Sequence, residues 1–79
     1  MSVYFVTCTV ETVKYRDYVL RNNPINLALC FTISKNNYTK FPDTNGIPAI
    51  YFNGNEVWVY DDEKQRDKDF EAISNIRKV

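Results

Sequence analysis

Two cysteines and a cluster of acidic residues are the side chains that could carry chemistry in this chain. The sequence contains no histidine, so the usual general base near neutral pH is missing. Cys8 and Cys30 are too few to complete a structural zinc site, which needs four ligands. We expect both thiols to stay reduced and to pack as small apolar side chains, with a disulfide between neighbouring strands as the alternative.

The acidic residues gather towards the C-terminal end. The cluster consists of five of the ten acidic residues, Asp61, Asp62, Glu63, Asp67 and Asp69. Carboxylates can bind a cation, but Asp and Glu are also the residues that cap a helix N-terminus and favour its first turn. We interpret the cluster as a capped helix start. With both glycines in turns, there is also no phosphate-binding loop, so no catalytic residue, metal site, cofactor or small-molecule substrate is predicted, and we expect a non-enzymatic protein.

Aromatic residues flank the dipeptide Asn53-Gly54 on both sides. This dipeptide between two β-rich runs predicts a hairpin, because a type I′ turn needs positive φ at both central positions. A two-residue loop would place Phe52 opposite Asn55. Side chains alternate between faces, so one face would carry Ile50, Phe52, Val57 and Val59. The other face would carry Tyr51, Trp58 and Tyr60 with Ile47, Ala49 and Glu56.

The aromatic face has two interpretations. In the first, the helix packs on the aliphatic face, and Tyr51, Trp58, Tyr60 and Glu56 form an exposed site for a protein partner. Tyrosine and tryptophan are enriched in interface hot spots. In the second, the sheet curls into a small barrel whose interior is lined by one face, the helix covers the aromatics, and these side chains are core packing.

The basic residues of the first half offer a different kind of site. They are Lys14, Arg16, Arg21, Lys35 and Lys40. Together with exposed aromatics they could follow the phosphates of single-stranded nucleic acid. The net charge of zero weighs against this function, since no overall field attracts a polyanion.

The remaining pattern indicates the elements that position these residues. Residues 3–10 are β-branched and aromatic and predict a strand. Residues 13–20 fit a second strand or a short helical turn, residues 25–33 alternate as a half-buried strand, and residues 34–46 are polar and predict a loop. A capped amphipathic helix is predicted over residues 63–77. The expected fold is α+β: an antiparallel β-meander of three to five strands, or a small curled barrel, packed by one C-terminal helix.

The length of 79 residues fits one domain spanning residues 1–79. No run approaches the roughly 18 consecutive apolar residues of a membrane span. The first residues, MSVYFV, lack the basic segment and long apolar run of a secretory signal. We therefore expect a cytoplasmic protein that does not bind membranes.

A packing pattern runs through residues 25–73, with Ile25-Asn26-Leu27, Ile33, Ile50, Phe52, Trp58, Tyr60, Glu63, Arg66-Asp67, Asp69-Phe70 and Ile73. In this pattern the chain resembles small uncharacterised proteins of bacteria and their phages. The resemblance implies a β-meander followed by a C-terminal helix, and the composition is similar to that encoded by AT-rich phage genomes. The predicted function is a small protein-interaction module, such as a phage-encoded modulator of a host protein. It would bind through the aromatic face or an edge strand, with self-association as a variant.

Overall fold

A computed structural model of the chain describes residues 5–30, 32–40 and 46–77. In that part of the chain, a 3-10 turn at Leu27–Leu29 interrupts the strands, and a helix follows the last of them. The strands are β1 (Phe5–Val6), β2 (Thr12–Tyr15), β3 (Tyr18–Arg21), β4 (Ile25–Asn26), β5 (Ile33–Tyr38), β6 (Ile47–Phe52) and β7 (Glu56–Val59), and the helix is α1 (Glu63–Arg77).

The strands pair into three small antiparallel sheets. β1 pairs with β4, β2 pairs with β3, and β5, β6 and β7 form a three-stranded sheet in that order. The predicted α+β class with one C-terminal helix is confirmed. The barrel alternative is wrong, because the described strands do not close on one another.

The three-stranded sheet has a different cover on each face. On the first face Ile50, Phe52, Trp58 and Tyr60 form a buried cluster with Ile73 of the helix. On the second face Ile47, Ala49 and Val59 pack against Val13 of β2. The sheet therefore lies between the helix and the β2–β3 hairpin, and both of its faces contribute to the core.

The hairpin of β6 and β7 has a loop that is one residue longer than predicted. Asn53 and Gly54 have φ values of 57° and 77°, as the Asn-Gly signal requires, but Asn55 also belongs to the loop. Phe52 consequently pairs with Glu56 rather than with Asn55. A shift of one residue moves every side chain of a strand to the other face, so the predicted distribution of β7 side chains is wrong.

Asn53 fixes this loop to the segment that precedes β5. Its N–H donates to the carbonyl of Thr32 at 2.9 Å, its Oδ1 accepts from the Thr32 N–H at 3.2 Å, and its Nδ2 donates to the carbonyl of Leu29 at 3.0 Å. Asn26 similarly accepts from the Ala28 N–H at 3.0 Å and caps the 3-10 turn. Such side-chain bonds compete with strand pairing, which explains why residues 25–33 are not one strand.

The remaining predictions divide into confirmed and corrected ones. The helix bounds are confirmed, and Asp62 caps the helix by accepting from the Lys64 N–H at 3.0 Å. Residues 13–20 form most of a β-hairpin, and the predicted loop over residues 34–46 is wrong at its start, where β5 runs. The strand predicted over residues 3–10 is reduced to β1, with residues 3 and 4 outside the described part, as are residues 31 and 41–45. Among the described helices, none is long and apolar enough to cross a membrane.

Candidate functional site: a groove beside the C-terminal helix

The predicted aromatic site is divided between the two faces of the sheet. Trp58 and Tyr60 are 1% and 0% exposed, because the longer loop turns them towards the helix. Trp58 packs edge-on against Phe52 with ring centroids 4.8 Å apart, and its indole N–H donates to the carbonyl of Asn23 at 2.6 Å. Tyr51 is half-buried on the opposite face, and Glu56 is exposed. Core packing, the second interpretation, therefore describes Trp58 and Tyr60, and the shared exposed face is not formed.

The basic residues are brought together only in part. Lys14 and Arg21 lie on the exposed face of the β2–β3 hairpin, and Arg16 occupies its turn, 5.5 Å from the centre of the Tyr15 ring. Lys35 lies elsewhere, on β5. Lys40 is exposed beyond β5. Three of the five predicted contacts thus share one hairpin.

A buried polar cluster joins the N-terminal segment, the sheet and the helix. The Tyr60 hydroxyl donates to Oδ2 of Asp69 at 2.7 Å, and the Cys8 thiol donates to the Tyr60 hydroxyl at 3.0 Å. The Thr9 hydroxyl also donates to Asp69 Oδ2 at 2.7 Å, and Gln65 donates to Oδ1 at 3.1 Å. Asp69 is only 6% exposed, and these neutral donors satisfy its carboxylate.

The electrostatics of this cluster favour neutral groups. Burial raises the pKa of the Cys8 thiol above its ordinary value of 9.0; the hydrogen bonds with Tyr60 and the Val10 backbone lower it in part, and the Asp69 carboxylate raises it. Burial also raises the pKa of the Tyr60 phenol, and the hydrogen bonds to Cys8 and Asp69 act in the same direction. A nucleophilic cysteine needs a lowered pKa. The cluster is thus suited to holding the fold together rather than to activating a thiolate.

The helix face that carries Asp69 changes from polar to apolar along its length. Gln65, Asp69, Ala72 and Ile76 follow one another at the spacing of a helical stripe. The first two bond to Thr9. Ala72 has the smallest side chain of the stripe, and a groove with a volume of about 290 Å³ opens beside it. The lining residues are Phe5, Val6, Thr7, Thr9, Trp58, Asp69, Ala72, Ile73 and Ile76.

The rim of this groove exposes large apolar side chains. Phe5 is 61% exposed and Ile76 is 37% exposed, whereas Trp58 and Ile73 below them are buried. Contiguous exposed apolar surface often marks an interaction site, and these two side chains on opposite sides of the groove make it the candidate site. The sequence did not reveal the groove, because it depends on packing between residues about 60 positions apart. The one available signal in the sequence was Ile76, the last residue of the apolar helix stripe Phe70, Ile73 and Ile76, which lies beyond the buried Ile73.

The described residues contain no group of three or more Cys, Asp or Glu side chains arranged to bind a metal ion. The fold and the groove define a small α+β protein, with antiparallel sheets and one C-terminal helix. None of the protein-family models, curated proteins or solved structures that were compared with the chain matches it.

Proposed function

We propose that this protein is a non-enzymatic interaction module that binds a protein partner in the groove between β1 and α1. The partner inserts one apolar side chain between Phe5 and Ile76. The observation that carries the proposal is the exposed apolar rim above a preformed gap at Ala72. The proposal replaces the aromatic sheet face with a different surface, because Trp58 and Tyr60 are buried.

The dimensions of the groove suit one large apolar side chain. Ligand pockets usually enclose about 300–1,000 Å³, and this groove, at about 290 Å³, lies just below that range. One leucine, phenylalanine or methionine of a partner fits such a gap. Buried apolar anchors of this type provide most of the free energy of binding in protein interfaces.

The charge of the groove indicates which residue of the partner lies next to the inserted apolar side chain. Asp69 is the one ionisable residue among the described residues that line it. Its bonds come from Tyr60, Thr9, Cys8 and Gln65, which are all neutral donors. The remaining negative potential favours a lysine, arginine or amide donor in the partner, next to the apolar residue.

A capture experiment with a matched pair of variants tests this function. The resemblance to proteins of bacteria and phages makes a bacterial lysate the source, and a cytoplasmic target the expected one. The tagged wild-type protein, Ala72→Phe and Ala28→Phe are used as baits, with and without nuclease. Ala72→Phe fills the groove, whereas Ala28→Phe makes the same change at an exposed alanine of the 3-10 turn.

The expected result is one stoichiometric protein that wild type and Ala28→Phe recover after nuclease and that Ala72→Phe loses. Recovery by all three baits would contradict binding in the groove, because the filled variant has no room for an anchor. Circular dichroism of Ala72→Phe, with a spectrum like that of wild type, ensures that the loss does not come from unfolding.

Single-stranded nucleic-acid binding is the second candidate function, and a specific observation favours it. Lys14 and Arg21 share one face of the β2–β3 hairpin and Arg16 lies in its turn, so three cations gather where they can follow the phosphates of a single strand. Fluorescence anisotropy with a labelled oligonucleotide tests it. Binding that weakens steeply with added salt and is lost in a Lys14→Ala, Arg21→Ala double variant would support this function over the first.

A further inference from the structure

We propose that the outer edge of β5 pairs with the same edge of a second copy of this chain, which gives an antiparallel dimer with a continuous six-stranded sheet. This surface is separate from the groove, so a result that contradicts one proposal does not contradict the other. The inference depends on the direction of the backbone hydrogen bonds in β5, on the exposure of residues 34–37 and on the position of the Lys35 side chain.

The direction of the hydrogen bonds follows from the far edge of the sheet. The side chain of Asn22 bonds both the N–H and the C=O of Val59 at 2.9 Å, so these groups point away from β6. The backbone N–H of Tyr60 donates to the carbonyl of Pro48 at 2.8 Å. The next pair along the two chains, Pro48 and Tyr60, is therefore a hydrogen-bonded pair. Bonded and non-bonded pairs alternate in an antiparallel sheet.

The same alternation continues across β6 into β5. The backbone N–H and C=O groups of Ala49 and Tyr51 point towards β5, where these two residues pair with Asn36 and Ser34. The backbone groups of Ile33, Lys35 and Asn37 therefore point outwards. In the described part of the chain no strand pairs with this edge, and the four residues 34–37 are all exposed.

The two edges of the three-stranded sheet differ in how their outward backbone groups are hydrogen-bonded. The β7 edge is closed by Asn22, whose amide takes the place of a neighbouring peptide group. On the β5 edge, the N–H of Asn37 is bonded by the side chain of the preceding residue, Asn36, at 2.9 Å. An exchange of that local bond for the carbonyl of a second chain needs only a rotation of the Asn36 side chain.

Lysine on an edge strand usually opposes pairing with another chain, but the Lys35 side chain lies over the helix of its own chain, beside Asp67 and Phe70. Its Nζ lies 3.7 Å from Oδ1 of Asp67 and 5.4 Å from the centre of the Phe70 ring. A two-fold axis at Asn36 places Lys35 opposite Asn37 of the second copy, so the two lysines do not face each other. The net charge of zero adds no repulsion between copies.

A pair of substitutions at one position tests the dimer. Lys35→Ala removes the side-chain charge and keeps the outward N–H, whereas Lys35→Pro removes the N–H as well. Because that N–H has no role in pairing with β6, proline is compatible with the folded monomer at this position. Sedimentation equilibrium over a range of protein concentrations measures the dissociation constant of each.

We expect wild type and Lys35→Ala to dimerise reversibly, and Lys35→Pro to dimerise about thirtyfold more weakly, since two symmetry-related hydrogen bonds are lost. A wild-type protein that stays monomeric at millimolar concentration would overturn the proposal. Equal dimerisation of the two variants would do the same, because the dimer would then use another surface.

Amide hydrogen exchange of the wild-type protein gives a second readout that does not depend on how the proline variant folds. Protection of the Lys35 amide should rise with protein concentration, while that of the Lys14 amide on the exposed hairpin stays constant. Dimerisation without added protection at Lys35 would also overturn the assignment of β5 as the interface.

Discussion

The phenolic oxygen of Tyr60 lies 2.7 Å from Oδ2 of Asp69, and this one hydrogen bond joins the sheet to the helix beside the groove. Tyr60 follows β7, and Asp69 stands on the helix face that continues to Ala72 and Ile76. Since Thr9 bonds the same carboxylate oxygen at 2.7 Å, the N-terminal segment is fixed at the same point. The groove is thus held open by a polar cluster at one end.

Tyr60→Phe should lower the free energy of unfolding by about 1.5–3 kcal/mol, because a buried hydrogen bond to a carboxylate is removed and the shape is kept. Urea denaturation followed by circular dichroism measures the change. Tyr51→Phe, the same change at a half-buried tyrosine outside the cluster, should stay within about 0.5 kcal/mol of wild type. Equal effects at the two positions would contradict the role of Asp69.

Trp58→Ala should cost about 3–5 kcal/mol, the range for deleting a large buried aromatic side chain, and is expected to leave the domain barely folded. Trp58→Phe keeps most of the packing against Phe52 but loses the bond to the Asn23 carbonyl, so its cost should be smaller. Thermal unfolding measures both variants. A melting temperature of Trp58→Ala equal to that of wild type would contradict the assignment of Trp58 to the buried core.

Asn22→Asp should destabilise the fold by about 3 kcal/mol. The carboxylate can still accept from the Val59 N–H, but it cannot donate to the carbonyls of Val59 and Val10, which the amide reaches at 2.9 Å and 2.8 Å. The buried carbonyl of Val59 and the half-buried carbonyl of Val10 then lose their donor and face a negative charge. Asn23→Asp at the exposed neighbouring position is the control, and chemical denaturation should show it close to wild type.

Alkaline pH should weaken the fold through Cys8 and Tyr60. The folded-state pKa of each is raised above the ordinary values of 9.0 and 10.0, so the folded state favours the protonated form. Their contribution to stability is fully present below about pH 9 and is lost as the pH rises through the folded-state pKa values.

The free energy of unfolding, measured by urea denaturation at several pH values, should therefore fall above about pH 9. A Cys8→Ala, Tyr60→Phe double variant controls for the other tyrosines and lysines, and its decline should be less steep. An identical pH dependence of the double variant and wild type would rule out this cluster as the source.

The sequence was sufficient where the determinants are local. The helix bounds follow from a cap at Asp61 or Asp62, of which Asp62 is used, and from the apolar stripe of Phe70, Ile73 and Ile76; the β6–β7 hairpin follows from Asn53-Gly54. The faces of β7 were mispredicted because the loop includes Asn55. Asn53 joins the loop to Thr32, 21 residues earlier, and turn propensity alone contains no information about such a contact.

The groove could not be predicted for a related reason. Its rim combines Phe5 and Ile76, and its polar end combines Thr9 with Asp69, so both depend on the position of the N-terminal segment against the helix. Residues 25–33 show the same limit. Their alternation of apolar and polar residues is typical of one strand. The side chains of Asn26 and Asn53, however, form hydrogen bonds with the backbone of Ala28, Leu29 and Thr32, and the segment is divided there.

The most direct test of the groove is a titration of ¹⁵N-labelled protein with N-acetyl-phenylalaninamide, a probe with one apolar side chain, followed by two-dimensional NMR. We expect saturable shifts of the amide signals of Thr7, Ala72, Ile73 and Ile76, and no such shifts in Ala72→Phe. Shifts that are absent from these residues in wild type, or that persist unchanged in the filled variant, would contradict an apolar docking site between β1 and the helix.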